Sequence, residues 1–258
     1  MSNLIRSRIW KGKPGGSGGS GSGSGFNGQR NITRQTPGIV GYDPNTTTVV
    51  AFLENVFYPP VAPIAAISIN NPIREIGAPN DFTLSWEVTE QSNAITGISV
   101  DGTPVSPTGG NQSGTMGGDL SDSIGVHTFD MSVTDGTLTG EASCTLQFLP
   151  GFYYGTTDKD GSGSAPILDS DILALTEELR NDYRKTFSTF GGGGKHLIFA
   201  FPSTFGTPRF TINGLVNTAF TLVRDTTDFS NYWEFTQPYD VWVSNEVYNS
   251  PLDSVILS

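Results

Sequence analysis

The stretch Phe82-Thr-Leu-Ser-Trp-Glu-Val88 places a large apolar residue at every second position. Successive side chains of a β-strand point to opposite faces, so Phe82, Leu84, Trp86 and Val88 would share one face. Serine, threonine and glutamate fall on the other face. The pattern predicts a strand with one buried face and with Trp86 in the core of a β-sandwich.

Strand-like runs on both sides of this stretch extend the β prediction, while residues 109–119 are interpreted as a polar loop. Asp101-Gly102 and Asp135-Gly136 each stand between such runs and favour tight type I′ hairpins. About seven short strands around a central tryptophan predict an immunoglobulin-like β-sandwich without its disulfide over residues 64–149. The runs with alternating or β-branched residues are 64–69, 82–88, 95–100, 126–134 and 137–148.

Residues 150–258 predict a second, β-sandwich-like domain with one helix. The helix is expected over residues 169–181, because acids fill its first turn and Ile172, Leu175 and Leu179 share a face. The fold class is therefore mainly β. The strand candidates of this domain are 196–201, 209–213, 219–224, 239–244 and 254–257.

Residues 46–63 predict a short helical neck in front of the first sandwich. A threonine can cap the start of this helix, and the pair Pro59-Pro60 cannot continue it. A helix of about three turns is marginal alone in water, so its apolar stripe should pack on the body of the chain or on copies of itself. The stripe consists of Val49, Phe52, Leu53 and Val56 at helical spacing.

Residues 1–45 form a basic, Gly/Ser-rich tail. They hold six lysines and arginines against one acid, whereas the rest of the chain holds eight against 24. A basic tail on an acidic body indicates that the tail meets an acidic partner. Residues 14–25 have the composition of a flexible linker, natural or engineered, rather than of a phosphate-binding loop. We expect the first residues to anchor the chain to a particle, the alternative being a frayed terminus: Leu4, Ile5, Arg6, Arg8, Ile9, Trp10, Lys11 and Lys13.

The chemistry-bearing residues favour a protein that is not an enzyme. The single cysteine, Cys144, is expected to be buried, and His127 and His196 are assigned structural roles. No apolar run approaches the roughly 20 residues of a membrane span, and no secretory signal is expected. A glycosidase needs only two carboxylates, so a depolymerase is kept as a weaker alternative.

Residues 158–169 match much of a calcium-loop pattern, with acids at positions 1, 3 and 12 and glycine at position 6. No helix enters the loop, and Asp169 replaces the usual bidentate glutamate. We therefore favour a polar connection whose last acid begins the next helix, and we expect neither a metal nor another cofactor.

Aromatic residues cluster in the last third of the chain. Buried, they would fill the distal core; exposed, they would stack on sugars or on another protein. Trp242 lies in an alternating stretch and is assigned to the core. Tyr232 and Trp233 lie in a predicted turn and remain candidates for contact with a ligand.

The order of several short motifs resembles virion structural proteins of tailed phages, especially phages of Bacteroidetes. The resemblance spans roughly residues 46–258. The motifs are Phe-Leu-Glu-Asn-Val-Phe-Tyr-Pro-Pro (52–60), Arg-Glu-Ile-Gly (74–77), Thr-Leu-Ser-Trp (83–86), Ile-Ser-Val-Asp-Gly (98–102), Val-Thr-Asp-Gly (133–136), Phe-Tyr-Tyr-Gly (152–155), Phe-Ala-Phe-Pro (199–202), Phe-Thr-Ile-Asn-Gly (210–214) and Tyr-Asp-Val-Trp-Val-Ser (239–244).

This resemblance implies a head or tail fibre, neck or head-decoration protein, made in the host cytoplasm and located in the virion. It implies a homo-oligomer whose partners are capsid, portal, neck or tail proteins, and it carries over no catalytic residues. A glycan-binding adhesin or receptor-binding tip is the alternative. Nucleic acid and membrane are not expected partners, because the basic charge is confined to the short tail.

Overall fold

The computed structural model describes residues 29, 31 and 48–258, apart from the side chain of Asn55. The chain divides into two compact parts, Met1–Pro60 and Val61–Ser258. The predicted anchor residues in 1–13 lie outside the described residues. In the described part of the chain, no helix is long and apolar enough to cross a membrane.

The first part contains the predicted helix, α1, at Val49–Phe57. The Thr48 hydroxyl accepts a hydrogen bond from the Ala51 N–H at 3.2 Å and so caps the helix. The helix ends just before the two prolines, which confirms the helix prediction. Leu53 and Val56 of the apolar stripe are exposed, so packing between copies remains a prediction.

Residues 64–149 fold into two facing sheets. The three-stranded sheet has the order β1-β3-β6 and the five-stranded sheet the order β2-β8-β7-β4-β5. All pairs are antiparallel except β2 with β8, which is parallel. The strands are β1 (Ile64–Ile69), β2 (Ile73–Glu75), β3 (Asp81–Thr89), β4 (Gly97–Val100), β5 (Thr103–Val105), β6 (Gln112–Asp119), β7 (Gly125–Thr134) and β8 (Thr139–Leu149).

The core of this first sandwich follows the alternation seen in the sequence. Leu84, Trp86 and Val88 of β3 are buried against residues of the opposite sheet such as Phe129 and Met131. Each large apolar side chain that is fully buried stabilises the fold by about 1.5–3 kcal/mol. The prediction for Trp86 is confirmed, and the immunoglobulin-like label stays a prediction.

The prediction of a loop over residues 109–119 is wrong, because Gln112–Asp119 forms β6 and pairs with β3. Its three glycines hide the strand from propensity reasoning. Gly114 is needed for packing, since a Cβ atom there would lie 2.5 Å from the Trp86 ring. Packing of the core tryptophan thus requires glycine at position 114, although glycine disfavours strands.

The two predicted hairpin turns differ. Asp101 and Gly102 both have positive φ, 48° and 72°, and form the two-residue turn between β4 and β5. The tight turn predicted at Asp135-Gly136 is wrong, because Thr134 pairs with Thr139 across a four-residue loop. The Asp135 carboxylate accepts hydrogen bonds from the N–H groups of Leu138 and Thr137, which hold the longer loop and lower the pKa of Asp135.

Residues 150–258 form a second antiparallel sandwich. Its five-stranded sheet has the order β10-β9-β12-β16-β15 and its four-stranded sheet the order β11-β17-β13-β14. A short helix, α2 (Asp169–Leu173), and a 3₁₀ turn (Ser203–Phe205) complete it. The strands are β9 (Gly151–Thr157), β10 (Thr176–Leu179), β11 (Lys185–Phe190), β12 (His196–Pro202), β13 (Phe210–Ile212), β14 (Leu215–Asn217), β15 (Phe220–Ser230), β16 (Thr236–Ser244) and β17 (Leu252–Leu257).

The five-stranded sheet of the second sandwich is buried on both faces. Phe199 and Phe201 of β12 point into the aromatic core between the sheets, where Phe210 and Phe220 stack at 3.8 Å. Ile198 of the same strand points to the other face. This two-sided burial explains why β12 is an almost continuous apolar run.

The helix predicted over residues 169–181 is wrong beyond Leu173. Residues 176–179 leave the helix and pair with β9 as strand β10. Only Ile172 of α2 is fully buried. Backbone pairing with an already formed sheet outweighs the moderate helix propensity of this segment.

Candidate functional site

The two sandwiches meet at a junction that involves few residues. Strands β8 and β9 are separated by Pro150 alone, so the chain passes directly from one sheet to the next. Residues 75–77, at the end of β2, face Tyr153, Glu177 and the turn of residues 231–235. We call this set of residues the junction.

Two hydrogen bonds cross the junction. The Tyr153 hydroxyl donates to Glu75 Oε1 at 2.7 Å, and Asn231 Nδ2 donates to the Ile76 carbonyl at 2.6 Å. Gly77 lies so close to Phe235 that an added Cβ atom would overlap the Cβ atom of Phe235, and the φ of Gly77, +86°, also favours glycine. The contacts fix the turn of residues 231–235 against the first sandwich.

Two carboxyl groups lie together at the junction without a cation. Glu75 is only 6% exposed. Glu177 is exposed overall, but its carboxyl group lies next to that of Glu75. Neither forms an ion pair with a basic residue in the described range 48–258. Burial and the neighbouring Glu75 charge raise the pKa of Glu177 to about 7.

The two tyrosines next to this carboxyl pair also have raised pKa values. Burial raises the pKa of Tyr153 above its usual range, and its hydrogen bond to Glu75 adds to this. Burial likewise raises the pKa of Tyr239, whose hydroxyl donates to the Gly151 carbonyl at 2.7 Å. Both tyrosines therefore act as neutral hydrogen-bond donors at the junction.

The carboxyl pair does not have the spacing of a glycosidase. Such enzymes hold their two carboxyl groups about 5–10 Å apart, so that the sugar and a water molecule fit between them. The carboxyl group of Glu177 instead lies next to that of Glu75. The arrangement suits a structural contact between the sandwiches better than hydrolysis.

An open pocket of about 410 Å³ lies beside the junction. Trp233 and Leu179 of the second sandwich form part of its wall, and the first sandwich supplies the rest. Arg74 holds the loop around the pocket, because its Nη1 donates to the carbonyl oxygens of Pro79 and Asp81 at 2.7 and 2.6 Å. The lining residues of the first sandwich are Asn70, Asn71, Ile73, Arg74, Glu75, Ala78, Pro79 and Asp81.

The structure separates the aromatic residues that the sequence grouped together. Trp233 is 44% exposed and lines the pocket, whereas Tyr232 is 77% exposed and does not line it. Their rings meet edge to face at 5.9 Å. Tyr239 is fully buried, and Trp242 packs against the aromatic core as predicted.

The two histidines and the cysteine have structural partners. His127 Nε2 lies 3.0 Å from the Ile124 carbonyl and 3.2 Å from Asp122, while His196 Nδ1 lies 2.6 Å from the Ser244 carbonyl. They belong to different sandwiches. Cys144 packs against the first core, and burial raises the pKa of its thiol, which disfavours the reactive thiolate.

The acids of the calcium-like loop bind protein groups. Asp169 pairs with Arg224 at 2.6 Å, Asp158 pairs with Lys195 at 3.2 Å, and Asp160 accepts from the Ser162 N–H. Within the described residues, no group of three or more His, Cys, Asp or Glu side chains is placed to hold a metal ion. The favoured interpretation of a polar connection agrees with these contacts.

No protein-family model matches this chain, and neither a curated protein nor a solved structure gives a match.

Sequence reasoning found Trp233 but missed the rest of the junction. Glu75 and Glu177 lie far apart in the sequence and carry no motif. Their contact depends on how the two sandwiches dock, and no local pattern reports it. The series of short motifs included Arg-Glu-Ile-Gly (74–77) and Phe-Tyr-Tyr-Gly (152–155), which supply Glu75 and Tyr153, without indicating that they meet.

Proposed function

We propose that the chain is a non-enzymatic structural protein of a tailed-phage virion, such as a head or tail fibre, a neck protein or a decoration protein. Its N-terminal tail attaches it to the particle, and its two sandwiches project from the attachment point. The motif series that resembles virion proteins motivates this proposal, and the organisation of the chain supports it.

The observation that carries the proposal is the separation of the chain into a basic tail and an acidic body. Residues 61–258 form a compact part of their own, distinct from Met1–Pro60. The cores of the two sandwiches are built from residues of this part. In this proposal, the basic tail binds an acidic partner on the particle.

The neck and the junction fit a projecting role. Helix α1 exposes Leu53, Val56 and Phe57, which copies of the chain could cover in an oligomer. The one-residue connection at Pro150 and the two hydrogen bonds across the junction hold the sandwiches in one relative orientation. Many copies on one particle would add weak attachments through effective concentration.

Deletion of residues 1–25 tests the anchor. The expected result is a folded, soluble body that is absent from purified particles, because its basic and apolar contact residues are gone. Particles are produced with the full chain or with the deletion, and the protein is quantified by mass spectrometry. Circular dichroism of the purified variant checks that the body still folds.

Two control variants make this experiment specific. Duplication of residues 15–25 changes only the linker length and should leave incorporation unchanged. Replacement of Arg6, Arg8, Lys11 and Lys13 by glutamine should reduce incorporation, because it removes the positive charges that attract an acidic partner. Full incorporation of the deletion variant would contradict the anchor, and absence of the full chain from particles would contradict the virion role itself.

A further inference from the structure

We propose that the pocket beside the junction binds a neutral saccharide, such as the terminal sugar of a surface glycan. This goes beyond the virion role and does not depend on it. The pocket combines residues of both sandwiches, so only the docked arrangement creates it.

The apolar side of the pocket suits the C–H face of a pyranose ring. Trp233 supplies an exposed indole, and Ile73 and Leu179 extend the apolar wall. Asn231 holds the backbone of the turn that carries Trp233, because its Oδ1 accepts hydrogen bonds from the backbone N–H groups of Trp233 and Phe235 at 3.0 Å. The same side chain donates to Ile76 across the junction, so the position of the turn beside the pocket is fixed before a ligand binds.

The polar side of the pocket suits sugar hydroxyl groups. The amide of Asn71 and the carboxylate of Asp81 form no side-chain hydrogen bond within residues 48–258. An amide offers both donors and an acceptor, and a carboxylate offers two acceptors, so each can bind adjacent hydroxyls. Asn70 already accepts from the Thr83 N–H at 3.2 Å and keeps its NH₂ group for a ligand.

The charges around the pocket favour a neutral ligand. Glu75 and Asp81 line it, and Glu177 adjoins Glu75. The only cation of the lining, Arg74, already donates to the carbonyl oxygens of Pro79 and Asp81. A phosphate, uronate or sialate would therefore meet net repulsion.

The size of the pocket fits one or two sugar units. Its volume of about 410 Å³ lies at the lower end of the range for small-ligand sites. Because the pocket is open, a longer chain can leave it toward solvent. A weak single-site affinity would be raised by many copies on one particle.

The test measures binding of the purified full chain to a panel of sugars by saturation-transfer NMR and calorimetry. The probes are neutral gluco-, galacto- and manno-disaccharides in both anomeric linkages, with the matching uronic acids and sialyllactose. We expect at least one neutral probe to bind and the acidic probes not to bind. Binding of acidic probes alone, or of none of the neutral probes, would overturn the proposal.

Variants then locate the bound sugar. Trp233→Ala should weaken binding of the positive probe at least about tenfold, and Trp233→Phe should retain part of it because a ring remains. Asp81→Asn should weaken binding less. Tyr232→Ala is the matched control, since Tyr232 is the more exposed neighbour outside the pocket.

The controls decide between the pocket and a nonspecific aromatic contact. Each variant must keep the thermal midpoint of the wild type within a few degrees, which the exposure of both aromatic side chains favours. Equal losses in Trp233→Ala and Tyr232→Ala, or no loss in Trp233→Ala, would overturn the assignment to the pocket. Unlike the deletion of the tail, this experiment needs no particle, so the two proposals fail independently.

Discussion

Two acidic regions of the molecule differ in the groups that surround their carboxylates. In the loop and helix of residues 158–171, acids face basic groups: Lys159 Nζ lies 2.9 and 2.7 Å from the two Asp171 oxygens, and Arg224 reaches Asp169. At the junction, Glu75 and Glu177 face each other, Tyr153 and Tyr239, and neither forms an ion pair with a basic residue within residues 48–258.

These different surroundings shift the pKa values of the carboxyl groups in opposite directions. Lys159 lowers the pKa of Asp171, whereas burial and Glu75 raise the pKa of Glu177 to about 7. Asp171 therefore stays charged at neutral pH, whereas Glu177 is partly protonated there. The contact between the sandwiches, where no cation pairs with the carboxyl groups, is therefore the region whose charge responds to pH near neutrality.

The largest expected effect is at Tyr153, which is buried and donates to Glu75. Tyr153→Ala should lower the free energy of unfolding by about 3–5 kcal/mol, because it removes a core ring and leaves the Glu75 carboxylate without its donor. Urea denaturation of the full chain measures the change. Tyr232→Ala, at an exposed tyrosine, should change it by less than about 0.5 kcal/mol.

Tyr153→Phe sharpens the result, since it removes only the hydroxyl. It should cost about 1–3 kcal/mol, the usual cost of a buried polar group that loses its partner. A loss below about 0.5 kcal/mol in this variant would show that the hydrogen bond across the junction contributes little.

The next effect is a dependence of stability on pH. The pKa of Glu177 is higher in the folded chain than its ordinary value of 4.5, so the folded state holds this proton more tightly. Stability from this group is therefore complete below about pH 4.5 and falls as the pH rises toward 7. One pKa unit corresponds to about 1.4 kcal/mol, but solvent screens the exposed side of Glu177, so we expect a total loss of about 1 kcal/mol.

Urea denaturation at pH 5 and pH 8 tests this dependence. Glu177→Gln keeps a donor toward Glu75 and removes the titration, so its stability should change less between the two pH values. The groups that face the pair are Glu75, Tyr153 and Tyr239, and both tyrosines stay neutral in this range. An unchanged pH dependence in Glu177→Gln would contradict the raised pKa of Glu177.

Features of the fold that leave a local pattern could be predicted from the sequence. Alternation in Phe82–Val88 predicted a strand correctly because one buried face leaves a local pattern. The Asp101-Gly102 turn was predictable because the turn geometry itself requires positive φ. Trp233 was placed in a turn for similar local reasons.

Features that depend on docking were not predictable. Strand β6 was missed because Gly114 is required by close packing against the Trp86 ring, which lies on another strand. Residues 176–179 became a strand because β9 offers an edge to pair with. The meeting of Glu75 with Glu177, and the pocket beside it, arise from contacts between two sandwiches and leave no signal in either segment alone.

The smallest expected effect is the difference between the contributions to stability of a half-buried ion pair and an exposed ion pair of the acidic loop. Lys159→Met removes the partner of Asp171, whose side chain is 26% exposed, and should cost about 0.5 kcal/mol. Lys195→Met removes the partner of Asp158, whose side chain is 77% exposed, and should change stability by only a few tenths of a kcal/mol. Because Lys159 lowers the pKa of Asp171 below its ordinary value of 3.8, the effect of Lys159→Met should begin to decline below about pH 3.8 and vanish as the pH falls through the lowered pKa. Equal effects of the two variants at neutral pH, or an effect of Lys159→Met that does not decline on acidification, would mean that this pair acts through side-chain packing rather than through charge.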